Sequence, residues 1–289
     1  MKWEIDQVHD GFLIRDYLIT VRSMSRRMLK AIKTDGLIKL NNHLVTVRET
    51  LRTGDVLEIL FPEEQKGREL YPKSIPLHIV YEDEDVLVLN KQAGLPVIPS
   101  RLLNKESIAH GLLYYYEQQG LPYTVHVVTR LDRNTSGLML VAKHRFSHSL
   151  LSNFQREGEV KRKYTAFIEG RLDQKEGTIE EPIGRKPESI IERMVRPDGK
   201  EAITHYGVIQ ELQDFSVVQV QLQTGRTHQI RVHFSYLGHP LVGDDLYGGS
   251  THKLNRQALH CHELAFYHPF QEKWMTFSSE LPPDMQELI

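Results

Sequence analysis

Val127–Ala142, VVTRLDRNTSGLMLVA, places a short charged segment between two apolar runs. The apolar runs predict two core strands, because neither alternates apolar with polar residues. The turn-forming residues at 134–137 put the charged segment on the loop between these strands. Asp132 lies in that loop beside Arg130 and Arg133, whose charges favour an ionised carboxylate. On these residues alone, a structural ion pair is as good an interpretation as a catalytic carboxylate.

The composition limits the classes of protein to consider. A chain of 289 residues is long enough for roughly two domains. Its formal net charge is −2, so a nucleic acid would have to bind to local basic patches. The one cysteine, Cys261, excludes an internal disulfide and fits a reducing compartment. No apolar run approaches the ~20 residues of a membrane helix, and residues 1–12 lack the apolar core of a signal peptide. We therefore expect a soluble, cytoplasmic protein without membrane association.

The first 61 residues predict a small α/β unit of two helices followed by a β meander. Ser25 is a suitable N-cap for the second helix, an apolar stripe follows at helical spacing, and Gly36 ends it. Three short strands are predicted at 37–40, 44–47 and 56–60. We expect a domain over 1–61, a linker rich in Pro and Gly over 62–76, and a second domain over 77–289.

Basic residues cluster around the second helix, mostly on the side opposite its apolar stripe. These candidate RNA-binding residues are Arg22, Arg26, Arg27, Lys30 and Lys33. Such a face suits the phosphate backbone of RNA, although a solvated helix face gives the same pattern. The segment SRRMLKAIKTDGLIKLNN, with VRETLRTGDVLEIL after it, resembles the αL motif, a small RNA-binding domain first described in a ribosomal small-subunit protein. The resemblance favours RNA binding.

Several catalytic classes lack their sequence patterns in this chain. Histidines are frequent in the last third, but there is no HExxH motif, and we predict no metal site. There is no GxSxG elbow of a serine hydrolase and no glycine-rich loop for phosphates or dinucleotides, so no cofactor is predicted. A glycosidase would need a second carboxylate, and no spacing identifies one for Asp132. The residues alone indicate a two-domain protein that favours RNA and has one candidate catalytic aspartate.

Four ordered motifs resemble the RluA family of pseudouridine synthases: TRLDRNTSGLMLVAKH, KRKYTAFIEG, TGRTHQIRVHFSYLGHPLVGDDLYG and LHCHELAFYHP. The resemblance runs from about residue 75 to the last residue and implies an α+β fold with a central, mainly antiparallel sheet. It also implies isomerisation of uridine to pseudouridine in RNA without a cofactor or an obligate protein partner. The αL-type unit in front matches family members that modify large-subunit ribosomal RNA, with transfer RNA as the alternative. One departure is Thr129, where many relatives have histidine.

The resemblance also implies roles for individual residues. Asp132 corresponds to the catalytic aspartate, as a nucleophile or as a base. Tyr164 matches the tyrosine that stacks beneath the base and takes its proton late. Arg231 matches the cation that pairs with the aspartate and offsets its desolvation. Three further positions match substrate-binding ones: Arg130 for the space left by the flipped base, Arg226 as a second nearby cation and Leu264 as an apolar contact.

Two other functions are compatible with the sequence. A non-catalytic RNA-binding factor for ribosome assembly would keep the fold without needing the aspartate. A nucleoside hydrolase would release free uracil instead of rejoining it to the ribose. The joint presence of Asp132, Tyr164 and Arg231 favours the isomerase over both.

Overall fold

The structure is a computed structural model that describes residues 1–62, 64, 70–99 and 106–289. Residues 63 and 65–69 of the predicted linker lie outside the described residues. The helices are α1 (Ile14–Asp16), α2 (Arg26–Asp35), α3 (Ile108–Gln118), α4 (Arg145–Arg156), α5 (Gln229–Tyr236) and α6 (Pro283–Gln286). A π-helical turn at Tyr17–Val21 continues α1, and 3-10 turns occur at Gln7–His9 and Asp245–Tyr247. No helix of the described part is both long and apolar enough to cross a membrane.

The strands form two main sheets and one hairpin within the described ranges. They are β1 (Lys2–Glu4), β2 (Leu37–Leu40), β3 (His43–Leu44), β4 (Val56–Leu60), β5 (Ile79–Glu82), β6 (Val86–Lys91), β7 (His126–Val127), β8 (Ser136–Ala142), β9 (Val160–Glu169), β10 (Glu176–Glu180), β11 (Ile183–Arg185), β12 (Arg193–Val195), β13 (Ile203–Glu211), β14 (Phe215–Leu222), β15 (Leu259–His268) and β16 (Lys273–Ser278). The first sheet has the order β1-β4-β2-β3. The second has the order β10-β13-β14-β9-β15-β8-β6-β5, with β7 and β16 beside it, and β11 pairs with β12.

The small sheet differs in two places from the sequence prediction. Strand β1 was not predicted, because three residues are too few for a detectable pattern; it pairs with β4. The strand predicted at 44–47 is shorter, since β3 ends at Leu44. Beyond it, the Val47 carbonyl accepts a hydrogen bond from the Arg15 amide at 3.0 Å, so this segment turns from the sheet toward α1. The predicted cap is confirmed, because Ser25 accepts a hydrogen bond from the Met28 amide.

The core of the small sheet continues onto helix α4. The buried residues of α1, α2 and β4 form one cluster with Phe146 and Leu150 of α4. Phe61 stacks on Phe146 with ring centroids 5.8 Å apart, and Trp3 meets the same ring edge-on at 6.4 Å. Burial of this aromatic surface favours one fixed packing of the small unit on the larger one. The domain boundaries given above stay a prediction.

The large sheet is mostly antiparallel, as predicted, with one parallel pair between β8 and β15 among the described strands. All seven residues of β8 are buried, which explains why this stretch shows no polar alternation. The main core of the large sheet includes side chains from α3, α4 and α5, among them Leu112, Leu151 and Phe234. A second cluster joins Phe167 of β9 to Met285 of α6. The sheet is therefore covered well enough to hold the loops at its edges rigidly.

Gly137 sets the approach of β8 to β15. It pairs in register with Cys261, which in turn pairs with Tyr164 on β9, so three neighbouring strands align these residues in one row. Gly137 has φ +110°, and a Cβ atom there would lie 2.3 Å from the Cys261 carbonyl oxygen. Any side chain at this position would therefore separate the strands that bring the Asp132 loop beside Tyr164.

We predict that Gly137→Ala lowers the free energy of unfolding by at least about 2 kcal/mol, because the added Cβ meets backbone atoms and the positive φ disfavours alanine. Chemical denaturation measures this. Gly207→Ala on β13 is the matched control, since its Cβ would meet nothing within 4 Å. Equal stability of the two variants would contradict the close approach of β8 and β15.

Candidate active site

The loop that carries Asp132 is fastened by hydrogen bonds at both of its ends. At the start, the Thr129 hydroxyl accepts a hydrogen bond from the Leu140 amide at 2.8 Å. At the far end, the Thr135 amide donates to the Asp132 carbonyl at 3.1 Å, and Arg256 donates to the Asn134 carbonyl at 3.2 Å. The buried Thr129 side chain thus joins the loop to β8 by a hydrogen bond. This contact gives a structural role to the threonine that departs from the family pattern.

Lys91, at the end of β6, supports the same loop from inside. Its ammonium group is buried and donates to the carbonyls of Gln92, Leu95 and Arg133, each at 2.9 Å. Burial lowers the pKa of Lys91 to about 7, and the negative charge of Asp132 opposes this shift. Because three carbonyl acceptors match the three N–H donors of an ammonium group, Lys91 joins the 92–95 loop to the residue next to Asp132.

Arg231 of α5 links Asp132 to a second, buried aspartate. Its Nη1 donates to Asp132 Oδ2 at 3.2 Å. Its Nε and Nη2 donate to the two carboxylate oxygens of Asp244, each at 2.7 Å, and the Asp244 side chain is fully buried. Burial alone would lower the pKa of Arg231, but the hydrogen bonds and charge of Asp244, with those of Asp132, raise it above its usual value. Arg231 therefore stays charged and in a fixed orientation.

His228 and Tyr247 complete the surroundings of this ion pair. The Arg231 guanidinium lies 4.8 Å from the centroid of the Tyr247 ring. The Tyr247 hydroxyl lies 2.7 Å from His228 Nδ1, while His228 Nε2 is 3.9 Å from Asp132 Oδ2. Burial lowers the pKa of His228, and the Asp132 charge opposes this shift. The imidazole and the guanidinium thus both lie near the same carboxylate oxygen, Asp132 Oδ2.

Asp132, His228 and Arg231 line a cleft of about 520 Å³. Tyr164 lies on its wall and is almost fully buried. Burial raises the pKa of Tyr164, and the charge of Arg162 opposes that shift. Apolar side chains form other parts of the wall, including Val97, Leu222 and Leu259. A cleft that combines charged and apolar surfaces around one ionised carboxylate suits a flat, polar ring such as a nucleobase.

The cleft brings together five of the six residues that the sequence assigned to catalysis and substrate binding: Asp132, Tyr164, Arg231, Arg130 and Arg226. Arg130 is exposed at its mouth, and Arg226 Nε donates to the Glu201 carbonyl at 2.7 Å. Leu264 does not line the cleft. It is fully buried on β15, opposite Arg162 in register, and belongs to the same core cluster as Tyr164. Because paired residues on neighbouring strands point to the same face of a sheet, Leu264 packs on the face that also carries Arg162 and Tyr164.

Four further residues of the site escaped the sequence analysis: Lys91, Arg162, His228 and Asp244. Arg162, His228 and Asp244 lie in the quoted motifs, but the spacing within these motifs does not identify their partners. The signal that singles out Lys91 is a lysine at the end of a strand that begins with four apolar residues. Asp244 lies 13 residues after Arg231 in the sequence. The two side chains meet only because the chain turns back after α5.

The basic residues of the small unit fall into two groups. Arg26, Arg27, Lys30 and Lys33 of α2 are exposed. Arg22 instead has partners inside the unit: its Nε and Nη2 donate to the Tyr17 hydroxyl at 2.8 and 2.6 Å, and its guanidinium lies over the Trp3 ring. The structure thus gives Arg22 a packing role and leaves four cations on one surface.

One group of side chains in the described residues has the composition of a metal site: Asp83, Asp85 and His268, with ligand atoms within 4.8 Å of one another. His268 Nδ1 accepts hydrogen bonds from the amides of Phe270 and Gln271 at 3.3 and 3.0 Å. Because Nδ1 accepts, the ring carries its proton on Nε2, which faces Asp83 Oδ2 at 2.9 Å. With no free nitrogen lone pair, this group fits a structural contact better than a metal centre.

Comparison with known proteins shows the family to which the chain belongs. A family model described as RNA pseudouridylate synthase matches residues 85–236. The uncharacterized RNA pseudouridine synthase YjbO of Bacillus subtilis strain 168 is 53% identical over 267 residues, which cover 92% of this chain and 94% of that protein. Ribosomal large subunit pseudouridine synthase D of Escherichia coli O157:H7 is 36% identical over 280 residues, 92% of this chain and 85% of that one.

A solved structure extends the comparison to the fold. Human RNA pseudouridylate synthase domain containing 1 superimposes with a TM-score of 0.60 and 26% identity, covering 75% of this chain and 89% of that one. The chain belongs to the RNA pseudouridylate synthase family. The RluA family and the isomerase activity predicted from the motifs are confirmed.

We predict that Asp244→Asn lowers the free energy of unfolding by about 3 kcal/mol, because it removes the charge that compensates the buried Arg231. Pseudouridine formation should slow as well, since Arg231 loses its fixed orientation toward Asp132. Chemical denaturation and an RNA modification assay measure the two effects. Asp245→Asn, at the exposed neighbouring position, should change neither. Wild-type stability of Asp244→Asn would show that Arg231 does not need this partner.

Proposed function

We propose that this chain converts uridine in large-subunit ribosomal RNA to pseudouridine, with the Asp132 carboxylate as its catalytic group. The observation that carries the proposal is the Asp132–Arg231–Asp244 chain of contacts at the wall of the cleft. These contacts supply a carboxylate at the wall of the cleft, and its counter-charge, Arg231, is held in place by Asp244. Such a group suits attack at a ribose carbon or removal of a ribose proton, and both need the charged form.

The reaction requires few other groups. The bond between N1 of uracil and C1′ of ribose breaks, the base turns, and a bond forms between C5 and C1′. The C5 proton leaves and N1 gains one, so atoms and electrons balance without an oxidant or a phosphate donor. We assign Tyr164 to the wall beneath the base and to the late transfer of the C5 proton. Arg130, exposed at the mouth of the cleft, would occupy the space that the flipped base leaves, and Arg226 would contact the RNA nearby.

The choice of ribosomal RNA as substrate has separate support. The relatives named ribosomal large subunit pseudouridine synthase D, from Escherichia coli and Haemophilus ducreyi, align with 92% of this chain. The alignment is long enough to include part of the small unit before residue 62. We assign residues 1–61 to an RNA-binding domain that uses the exposed cations of α2.

We predict that Asp132→Asn abolishes pseudouridine formation and leaves RNA affinity nearly unchanged, because the substitution removes the charge and keeps the shape. Pseudouridine mapping of ribosomal and transfer RNA after incubation with the purified protein measures the product and its position. Asp173→Asn, at an exposed position outside the cleft, is the control. Free uracil as the product would indicate a hydrolase. Product only in transfer RNA would overturn the proposed substrate, and product from Asp132→Asn would overturn the proposed catalytic group.

We predict that the triple variant Arg26→Gln, Arg27→Gln, Lys30→Gln weakens RNA binding and lowers its salt dependence. If each cation contacts one phosphate of single-stranded RNA, the slope of log affinity against log salt falls by about 2. Binding titrations at several salt concentrations measure the slope. Arg22→Gln is the matched control, because its guanidinium already has partners within the protein. An unchanged slope in the triple variant would exclude this face from the RNA interface.

A further inference from the structure

Arg162 is a cation that lines the cleft, and the reaction proposed for Asp132 and Tyr164 gives it no role. It lies on β9 two residues before Tyr164, so both side chains point to the same face of the sheet. Its Nη1 donates to the Tyr164 hydroxyl at 3.3 Å, and it lines the cleft beside that ring. The guanidinium therefore contacts the hydroxyl oxygen of a tyrosine that lines the cleft.

Arg162 lacks the anionic partner that a half-buried cation usually has. Its Nε is buried without a hydrogen-bond partner among the described residues, and no described carboxylate forms an ion pair with it. Gly225 leaves room for the group, since a Cβ atom there would come within 3.1 Å of Arg162 Nη2. A desolvated guanidinium without a counter-charge costs free energy, unless a negative charge appears beside it during function.

The negative charge that this arrangement fits is a phenolate on Tyr164. Burial raises the pKa of Tyr164, which disfavours the form able to accept a proton, and Arg162 supplies the charge that opposes this effect. Arg231 cannot fill this role, because its Nη1, Nε and Nη2 are already directed at Asp132 and Asp244. Arg162 is the cation within hydrogen-bond distance of the phenol oxygen.

We propose that Arg162 is a positioning residue that stabilises the Tyr164 phenolate for the last proton transfer of the reaction. The inference rests on the proposed function. Tyr164 first releases its proton to solvent, and its phenolate oxygen then takes the proton from C5 of the rejoined base. The electron pair of the C5–H bond forms the C5=C6 double bond, the π pair of the C6=N1 bond moves onto N1, and N1 takes a proton from solvent. Arg162 acts on Tyr164 and leaves bond breaking at N1–C1′ to Asp132.

The test compares uridine with 5-fluorouridine at the target position, because 5-fluorouridine has no C5 proton to remove. In single-turnover experiments, Arg162→Met should form pseudouridine about a hundredfold more slowly than the wild type, with nearly unchanged RNA affinity. The same variant should rearrange 5-fluorouridine RNA at close to the wild-type rate. Arg162→Lys, which keeps the charge, should recover much of the loss on uridine.

Two controls separate this inference from the proposed function. Lys161→Met removes an exposed cation from the other face of the same strand, over Trp274, and should react with both RNAs at the wild-type rate. Asp132→Asn should block both substrates. If Arg162→Met slows both RNAs equally or mainly weakens binding, Arg162 contacts the RNA instead and the inference fails. If the wild type makes no pseudouridine, the proposed function fails; an Arg162→Met variant as fast as the wild type refutes the role of Arg162 alone.

Discussion

The contact between Arg231 and Asp244 is the interaction on which the cleft depends. A guanidinium with this little exposure is stable only if a carboxylate meets it with good geometry, and the two 2.7 Å hydrogen bonds to Asp244 provide that. One direction of the guanidinium then remains for Asp132, which lies at the cleft and is more exposed. A neutral pair is thus formed in the interior, and Asp132 adds a negative charge that substrate can reach.

The sheet explains why this charge lies next to an aromatic ring. Strands β8, β15 and β9 are neighbours, and their registers align Gly137, Cys261 and Tyr164 across the sheet. The loop before β8 carries Asp132, so it ends beside the face on which Tyr164 and Arg162 lie. Lys91 holds the same loop from a fourth strand, β6. Four strands therefore fix the distance between the carboxylate and the phenol, and helix α5 supplies the counter-charge.

Sequence could predict the features that depend on neighbouring residues. The apolar run of β8, the cap at Ser25 and the mainly antiparallel sheet follow from local patterns and from the ordered motifs. Contacts between distant residues do not follow from local patterns. The pair of Arg231 with Asp132, 99 positions apart, was predicted only through the family resemblance, and the contact of Lys91 with Arg133, 42 positions apart, was not predicted. The family resemblance predicted Leu264 as a contact of the substrate; in the structure it pairs with Arg162, on the sheet face that carries Tyr164, and is not among the residues that line the cleft.

Helix α4 connects the two parts of the molecule. Phe146 and Leu150 belong to the core of the small unit, while Gln155 on the same helix lines the cleft. Because a helix is stiff over three turns and both ends of α4 are packed, the small unit has a fixed position relative to the cleft. RNA held by the cations of α2 would then reach Asp132 from a defined direction. Substrate choice would follow from the distance between these two contacts on the RNA, which the local sequence around the uridine does not determine.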